Sequence, residues 1–300
     1  MAIPHRRRFL QQSALAVAAI SAPFGQARGI EPIQRNGQAK FKFSLAAYSY
    51  RDLLTGEKPP LTLADFVDDC AKLQLDGTEL TSYYFPANPS DEYLRQIKEQ
   101  CFRLGLDISG TAVGNDFCHP PGEARDEQIQ LVKTWVDRAE ILGAPVIRIF
   151  SGAAREGLDE AEARRLAIEG IEECCEYAGR HGVYLALENH GGLTAKAEGM
   201  LEIVKAVRSP WFGVNVDSGN FHSSDVYAEL ASIAPYALNV QIKVVVQPEG
   251  AGRQPSDYSR LASIFRDTGY RGYIVLEFEE KGDPRTACPR HLEDIRKAFT

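Results

Sequence analysis

Past its N-terminal segment this 300-residue chain has no apolar run near the roughly 18 residues of a membrane-spanning helix, no Gly-x-Gly-x-x-Gly after its first strand-like run, and no excess of basic residues. The first shortage excludes a membrane span in the mature chain. The second weakens a doubly wound nucleotide-binding sheet, which places that fingerprint at its first strand-to-helix turn. The third, a net charge of −7, leaves no global field for a phosphate backbone, so nucleic acid is not an expected partner. The six cysteines (Cys70, Cys101, Cys118, Cys174, Cys175 and Cys288) form no Cys-x-x-Cys pair and have no histidine partners at zinc-finger spacing. Most lie in helical patterns, where a buried free thiol is the ordinary role, and no disulfide is expected to be required for the fold.

The N-terminal segment is of another kind. Arg6-Arg7-Arg8-Phe9-Leu10 precedes an Ala-rich apolar stretch, Ser13–Phe24, and a small-residue cleavage site at Gly25-Gln26-Ala27. Residues 1–27 resemble a twin-arginine export signal, with His5 where such signals commonly carry Ser or Thr. That resemblance implies passage through the twin-arginine translocase in folded form, a periplasmic or secreted location, no stable membrane insertion after processing, and cofactor loading in the cytoplasm. Residues 28–38 read as a polar linker. Residues 39–300 read as one domain, because 44% hydrophobic content suffices for the core of a single barrel of about 250 residues.

Within that domain eight strand-like runs alternate with amphipathic helical segments. The runs are Phe41–Tyr48, Leu75–Thr81, Leu106–Val113, Pro145–Phe150, Val183–Glu188, Gly213–Asp217, Ala237–Val244 and Tyr273–Phe278. The last helix is expected over Arg290–Phe299. Ser90 with Asp91, and Ser256 with Asp257, offer N-terminal caps. Four helices stop at Gly105, Gly143, Gly182 and Gly269 before the chain re-enters a strand, as a left-handed C-cap requires. Eight such alternations predict an α/β fold of the (β/α)8 TIM-barrel type in a single domain; an open doubly wound sheet is the alternative.

Active residues of such barrels sit at the carboxyl ends of the strands, and there runs five to eight carry Glu188, Asp217, Gln241 and Glu277. Their separations of 29, 24 and 36 residues are close to one strand–helix unit each, so all four should reach the same height. Three carboxylates converging in a low-dielectric mouth repel one another, which a divalent metal would relieve. An all-oxygen ligand set suits Mn²⁺ or Mg²⁺ better than Zn²⁺. On the same faces lie Lys243, a contact for substrate oxygen or a structural ion pair, and His190, a hydroxyl ligand. Glu279 lies farther along, at the rim. Glu79 ends the second run, and Arg148 is expected to fill the barrel as half of a charged pair.

Leu-Glu-Asn-His (187–190), Val-Asp-Ser-Gly-Asn (216–220), Val-Gln-Ile-Lys (240–243) and Val-Leu-Glu-Phe-Glu (275–279) together resemble the metal-binding strand ends of xylose-isomerase-like barrels. The resemblance extends from Phe41 to Phe299. It implies that Glu188 and Glu277 bind the metal and act as an acid/base pair, with Asp217 and Gln241 as ligands only; His190, Asn220, Lys243 and Glu79 are the candidate substrate-binding residues beside them. Two positions depart from the family pattern: Gln241 stands where His is common, and Asp217-Ser-Gly-Asn220 where Asp-x-x-His is common. The function so implied is a divalent-metal-dependent sugar isomerase or epimerase working through an enediolate. Its rivals are a lyase or dehydratase on keto-sugars, inososes or 3-keto-glycosides, and a non-catalytic periplasmic sugar-binding barrel. An apurinic endonuclease is disfavoured by the few, scattered histidines. Oligomeric state is open.

Overall fold

In the computed structural model, which describes residues 29–300, ten strands and nine helices follow one another in chain order. The strands are β1 (Lys40–Ala46), β2 (Gly77–Thr81), β3 (Asp107–Ala112), β4 (Val146–Ile149), β5 (Tyr184–Glu188), β6 (Phe212–Asp217), β7 (Ala237–Ile242), β8 (Val245–Val246), β9 (Gln254–Pro255) and β10 (Arg271–Leu276). The helices are α1 (Arg51–Leu54), α2 (Leu63–Lys72), α3 (Asp91–Arg103), α4 (Glu123–Leu142), α5 (Glu160–Arg180), α6 (Ala197–Val204), α7 (Val226–Ile233), α8 (Tyr258–Asp267) and α9 (Pro284–Phe299). Strands β1–β7 and β10 close an all-parallel barrel in the order β1-β10-β7-β6-β5-β4-β3-β2. The expected (β/α)8 barrel is therefore the fold. Strands β8 and β9 form a small antiparallel hairpin in the loop after β7, which periodicity did not foretell because each strand is only two residues long.

Each long helix turns one apolar stripe inward, through Phe66, Leu94, Trp135, Ile171, Met200, Leu230, Phe265 and Leu292, all buried. A side chain of that size contributes about 1.5–3 kcal/mol when fully buried. Starts and stops are local. Thr62 and Asp65 form a capping box, and Ser90, Asp159, Asp225 and Asp257 each accept a backbone N–H in the first turn. The four glycines at helix ends have positive φ, from 64° at Gly269 to 79° at Gly143. Two boundaries differ from expectation. Helix α9 begins at Pro284, not Arg290, because proline at the first helical position forfeits no bond and Asp283 caps it; Pro289 lies inside the helix. Residues 29–38 are not a free linker. They lie across the amino-terminal end of the barrel, with Ile30 N donating to Val207 O at 3.1 Å and Ile33 N to Pro235 O at 3.0 Å. All six cysteines are buried free thiols. Among the described residues no helix is long and apolar enough to cross a membrane, and the export signal of residues 1–27 lies outside them.

Below the mouth the barrel is filled by polar groups. Asn239 and Gln241 alternate onto the inward face of β7, and both donate to Glu79 on β2, at 2.7 and 2.6 Å. Asn215 on β6 donates to Gln241 Oε1 at 2.6 Å and accepts from Asn239 at 2.9 Å. Glu79 is 1% exposed. Burial, with the charge of Glu277, pushes its carboxyl up to about 7, against hydrogen bonds from Gln241 and Asn239 that favour the anion.

Two substitutions test this frame. A Cβ at Gly170 of α5 would lie 2.7 Å from the Phe117 ring, which is 1% exposed. Overpacking of about 1–3 kcal/mol outweighs the gain in helix propensity of about 1 kcal/mol, so Gly170→Ala should lower the urea midpoint. For Glu79, a folded pKa of about 7 against an ordinary 4.5 means that its protonated form adds stability below pH 4.5, which is lost as pH rises through about 7. Glu79→Gln lacks that titration. The stability difference should therefore shift in the variant's favour by up to about 3 kcal/mol between pH 4.5 and 8. Parallel urea melts across that range measure it, and two curves of equal pH dependence would refute the assignment.

Candidate active site

The carboxyl ends of β5, β6, β7 and β10 meet at the mouth. Glu188 closes β5 and Asp217 closes β6, while Lys243 and Glu277 sit one residue past β7 and β10. In register, Asp217 lies opposite Gln241 and Glu188 opposite Asn215. Asn189 staples the first two ends: its amide donates to Asp217 O at 2.9 Å and accepts from Asp217 N at 2.8 Å. Thr194 ties down the following loop, accepting from His190 N at 3.0 Å and donating to Glu188 O at 3.1 Å.

Two cations compensate the acids. Arg148 on β4 pairs its Nε with Glu188 Oε2 at 2.8 Å, donates Nη1 to Val113 O at 2.8 Å, and lies 4.0 Å over the Phe150 ring. The other Glu188 oxygen accepts from Asn220 Nδ2 at 3.0 Å. Burial raises the Glu188 carboxyl well above the ordinary range, while the Arg148 guanidinium pulls it back. The ammonium of Lys243 stands 3.3 Å from Asp217 Oδ2, 3.3 Å from Glu277 Oε2 and 2.8 Å from Glu279 Oε1. Burial works against its charge, but Asp217, Glu277 and Glu279 together lift it well above an ordinary lysine. Burial likewise raises Asp217, against Lys243. A cavity of about 180 Å³ opens above, lined by Asn220, His222, Lys243, Arg253, Glu277 and Glu279 among others. That is below the roughly 300–1,000 Å³ of drug-sized sites, and its charged and amide lining suits a small hydroxylated ligand.

The residues singled out from sequence therefore separate into three places. Glu188, Asp217, Glu277, Lys243 and Asn220 come together at the mouth. Gln241 and Glu79 face each other in the interior beneath it, so neither reaches the cavity. His190 is exposed at the rim with its ring 4.4 Å from that of Phe150. Arg148 does form a charged pair inside the barrel, and its partner is Glu188. Asn189, Asn215, Asn239 and Ser218 were missed as supports. Period two would have found Asn215 and Asn239, which share the inward faces of Asp217 and Gln241.

A divalent ion held by Glu188, Asp217, Gln241 and Glu277 does not fit these positions. Glu188 is engaged by Arg148 and Asn220, Gln241 by Glu79 and Asn215, and the ammonium of Lys243 stands between the remaining two. Among the described residues no three His, Cys, Asp or Glu side chains are grouped to hold a metal ion.

Several solved structures share this architecture. D-psicose 3-epimerase from Clostridium cellulolyticum H10, crystallised with D-tagatose, superposes with a TM-score of 0.73 at 16% identity, covering 86% of this chain and 99% of that one. An L-ribulose 3-epimerase gives 0.71 at 14%, over 86% and 94%. A probable 3-DHS dehydratase from Bacillus anthracis gives 0.66 at 17%, over 85% and 98%. At such identities the likeness speaks for the fold. The sequence itself matches the Xylose isomerase-like TIM barrel family over residues 67–298, and the chain belongs to that family.

Proposed function

We propose that the protein is a sugar isomerase or epimerase that moves a proton next to a carbonyl, with Glu188 and Glu277 as its acid/base pair. The observation that carries this reading is the placement of two carboxyl groups from separate strand ends, 4% and 6% exposed and each paired with a cation, Glu277 lining the polar cavity and Glu188 bonded to Asn220, which lines it too. Binding alone needs no such pair. One carboxylate takes the proton from the carbon beside the carbonyl, leaving an enediolate whose oxygens face the cationic wall, and a carboxylic acid returns a proton. Return to the neighbouring carbon isomerises the sugar, and return to the other face of the same carbon epimerises it. Loss of a leaving group from the next carbon converts the same intermediate into an elimination product. The dehydratase among the structures of this fold supports keeping that second reading, and the epimerases support the first.

The sequence resemblance implied a divalent metal in a site of Glu188, Asp217, Gln241 and Glu277, a set of positions that does not fit one here. No step above runs through it, since those donors are engaged elsewhere. Arg6-Arg7 and the Ala-rich stretch after it support export through the twin-arginine translocase to the periplasm.

Incubation with ketoses, inososes and 3-keto-glycosides in D2O, read by mass spectrometry, tests the reaction. A product that keeps its skeleton and gains deuterium at carbon identifies an isomerase or epimerase, and loss of water or aglycone identifies a lyase. Glu188→Gln and Glu277→Gln should each lower turnover about 10²–10⁴-fold. Full activity in Glu188→Gln would sink the assignment.

A further inference from the structure

We propose that the ε-ammonium of Lys243 is the resident cation of this site, occupying the position between Asp217 and Glu277 that a bridging metal ion would take, and that it binds the substrate oxygen on which charge develops. The proposal rests on the reading of the mouth as a site of proton transfer to sugars, and extends it by naming the electrophile.

Four observations converge. First, Asp217 Oδ2 and Glu277 Oε2 are buried and have no hydrogen-bond donor, yet each lies 3.3 Å from Lys243 Nζ, so the ammonium is what balances them. Second, the lysine has a built seat. Its backbone N–H donates to Ser218 Oγ at 2.8 Å, and a Cβ at Gly219 would come within 2.6 Å of Lys243 Cγ, so only glycine admits the stem at this distance. Asp217-Ser218-Gly219 thus holds Lys243 at its head, its backbone and its stem, and Asp217 Oδ1 is fixed by Gly219 N at 2.8 Å. Third, Gln241 has both ends of its amide committed beneath the mouth, to Asn215 and Glu79. Turning its oxygen upward would strand buried polar groups. Fourth, an ion shared by Asp217 and Glu277 would lie in contact with the ammonium, where two positive charges away from water exclude each other.

The ammonium also has a way to reach substrate. Of its three carboxylate partners, Asp217 and Glu277 are buried, with side chains 0% and 7% exposed, whereas the Glu279 side chain is 40% exposed at the cavity edge. A substrate carbonyl or alkoxide oxygen that displaces Glu279 Oε1 would gain a charged donor already held by two fixed anions. This explains why Lys243 is inward-facing and cavity-lining.

The test uses the full chain, dialysed against EDTA and titrated with Mn²⁺ by electron paramagnetic resonance and by thermal melting, with no sugar present. Wild type should bind no stoichiometric Mn²⁺ and keep its Tm. Lys243→Ala, which leaves Asp217 and Glu277 without the ammonium, should bind Mn²⁺ and gain several degrees when the ion exceeds its Kd about 100-fold. Stoichiometric Mn²⁺ binding by wild type overturns the proposal, whether or not the variant folds, and so does a folded variant blind to the ion. On any sugar that the wild type converts, EDTA should leave kcat unchanged and Lys243→Ala should lower it about 10²–10³-fold. Loss of wild-type activity in EDTA overturns it as well. Failure of every sugar in the panel would refute the isomerase reading and leave the ion measurements to decide Lys243.

Discussion

Three carboxyl groups gathered at neighbouring strand ends, away from water, repel one another and resist ionisation. The rest of the mouth is arranged around their compensation. Arg148 answers Glu188, and Lys243 is shared by Asp217, Glu277 and Glu279. Removing one member of such a buried pair costs about 3–5 kcal/mol, because the other is left charged and unpaired. That is on the scale of deleting a large buried apolar side chain, and the loops after β5 and β6 carry groups that hold these pairs in place. The Asn189 staple between β5 and β6 and the Ser218–Gly219 turn under Lys243 are parts of that support.

One layer down the same problem has a different solution. Asn215, Asn239 and Gln241 are amides, each offering a donor and an acceptor, so they can be linked in a chain that ends on the two oxygens of Glu79. The chain joins β2, β6 and β7 across the barrel. It also settles the orientation of Gln241, whose oxygen accepts from Asn215 while its nitrogen serves Glu79. A histidine at 241 would have to meet Glu79 and Asn215 from ring nitrogens set at unequal distances from the backbone, where the two ends of the glutamine amide are level. The residue that departs from the family pattern is therefore the residue that the interior network uses.

Strand order, helix ends and the heights of Glu188, Asp217 and Glu277 were legible in the sequence because each follows from a short-range rule: an apolar run, a glycine C-cap, one polar residue where a strand stops. That Gln241 and Glu79 meet each other beneath the mouth was not legible, for an equally physical reason. Period two assigns a side chain to the inside of the barrel but not to its top or bottom, and a rotation about the side-chain bonds decides which layer a long amide joins. The docking of residues 29–38 was hidden because it uses backbone groups, such as Ile30 N and Ile33 N, on which composition is silent. Arg148 was assigned a charged pair inside the barrel, but its partner depends on register between β4 and β5, where Arg148 stands beside Ala186, one pleat below Glu188.

The two cations differ in what they can do during a reaction. Arg148 is held on every side, by Glu188, by the Val113 carbonyl and by the Phe150 ring, and a guanidinium keeps its proton at any relevant pH. It fixes Glu188 and cannot follow a moving charge. Lys243 is a compact ammonium on a flexible stem, anchored at its backbone and balanced by two buried anions, with its third partner, Glu279, on the solvent side. Exchange of that one partner for a substrate oxygen changes no buried contact. On the proposed reading, the rigid cation belongs to the carboxyl that must keep its position, and the adaptable one to the place where substrate charge would appear.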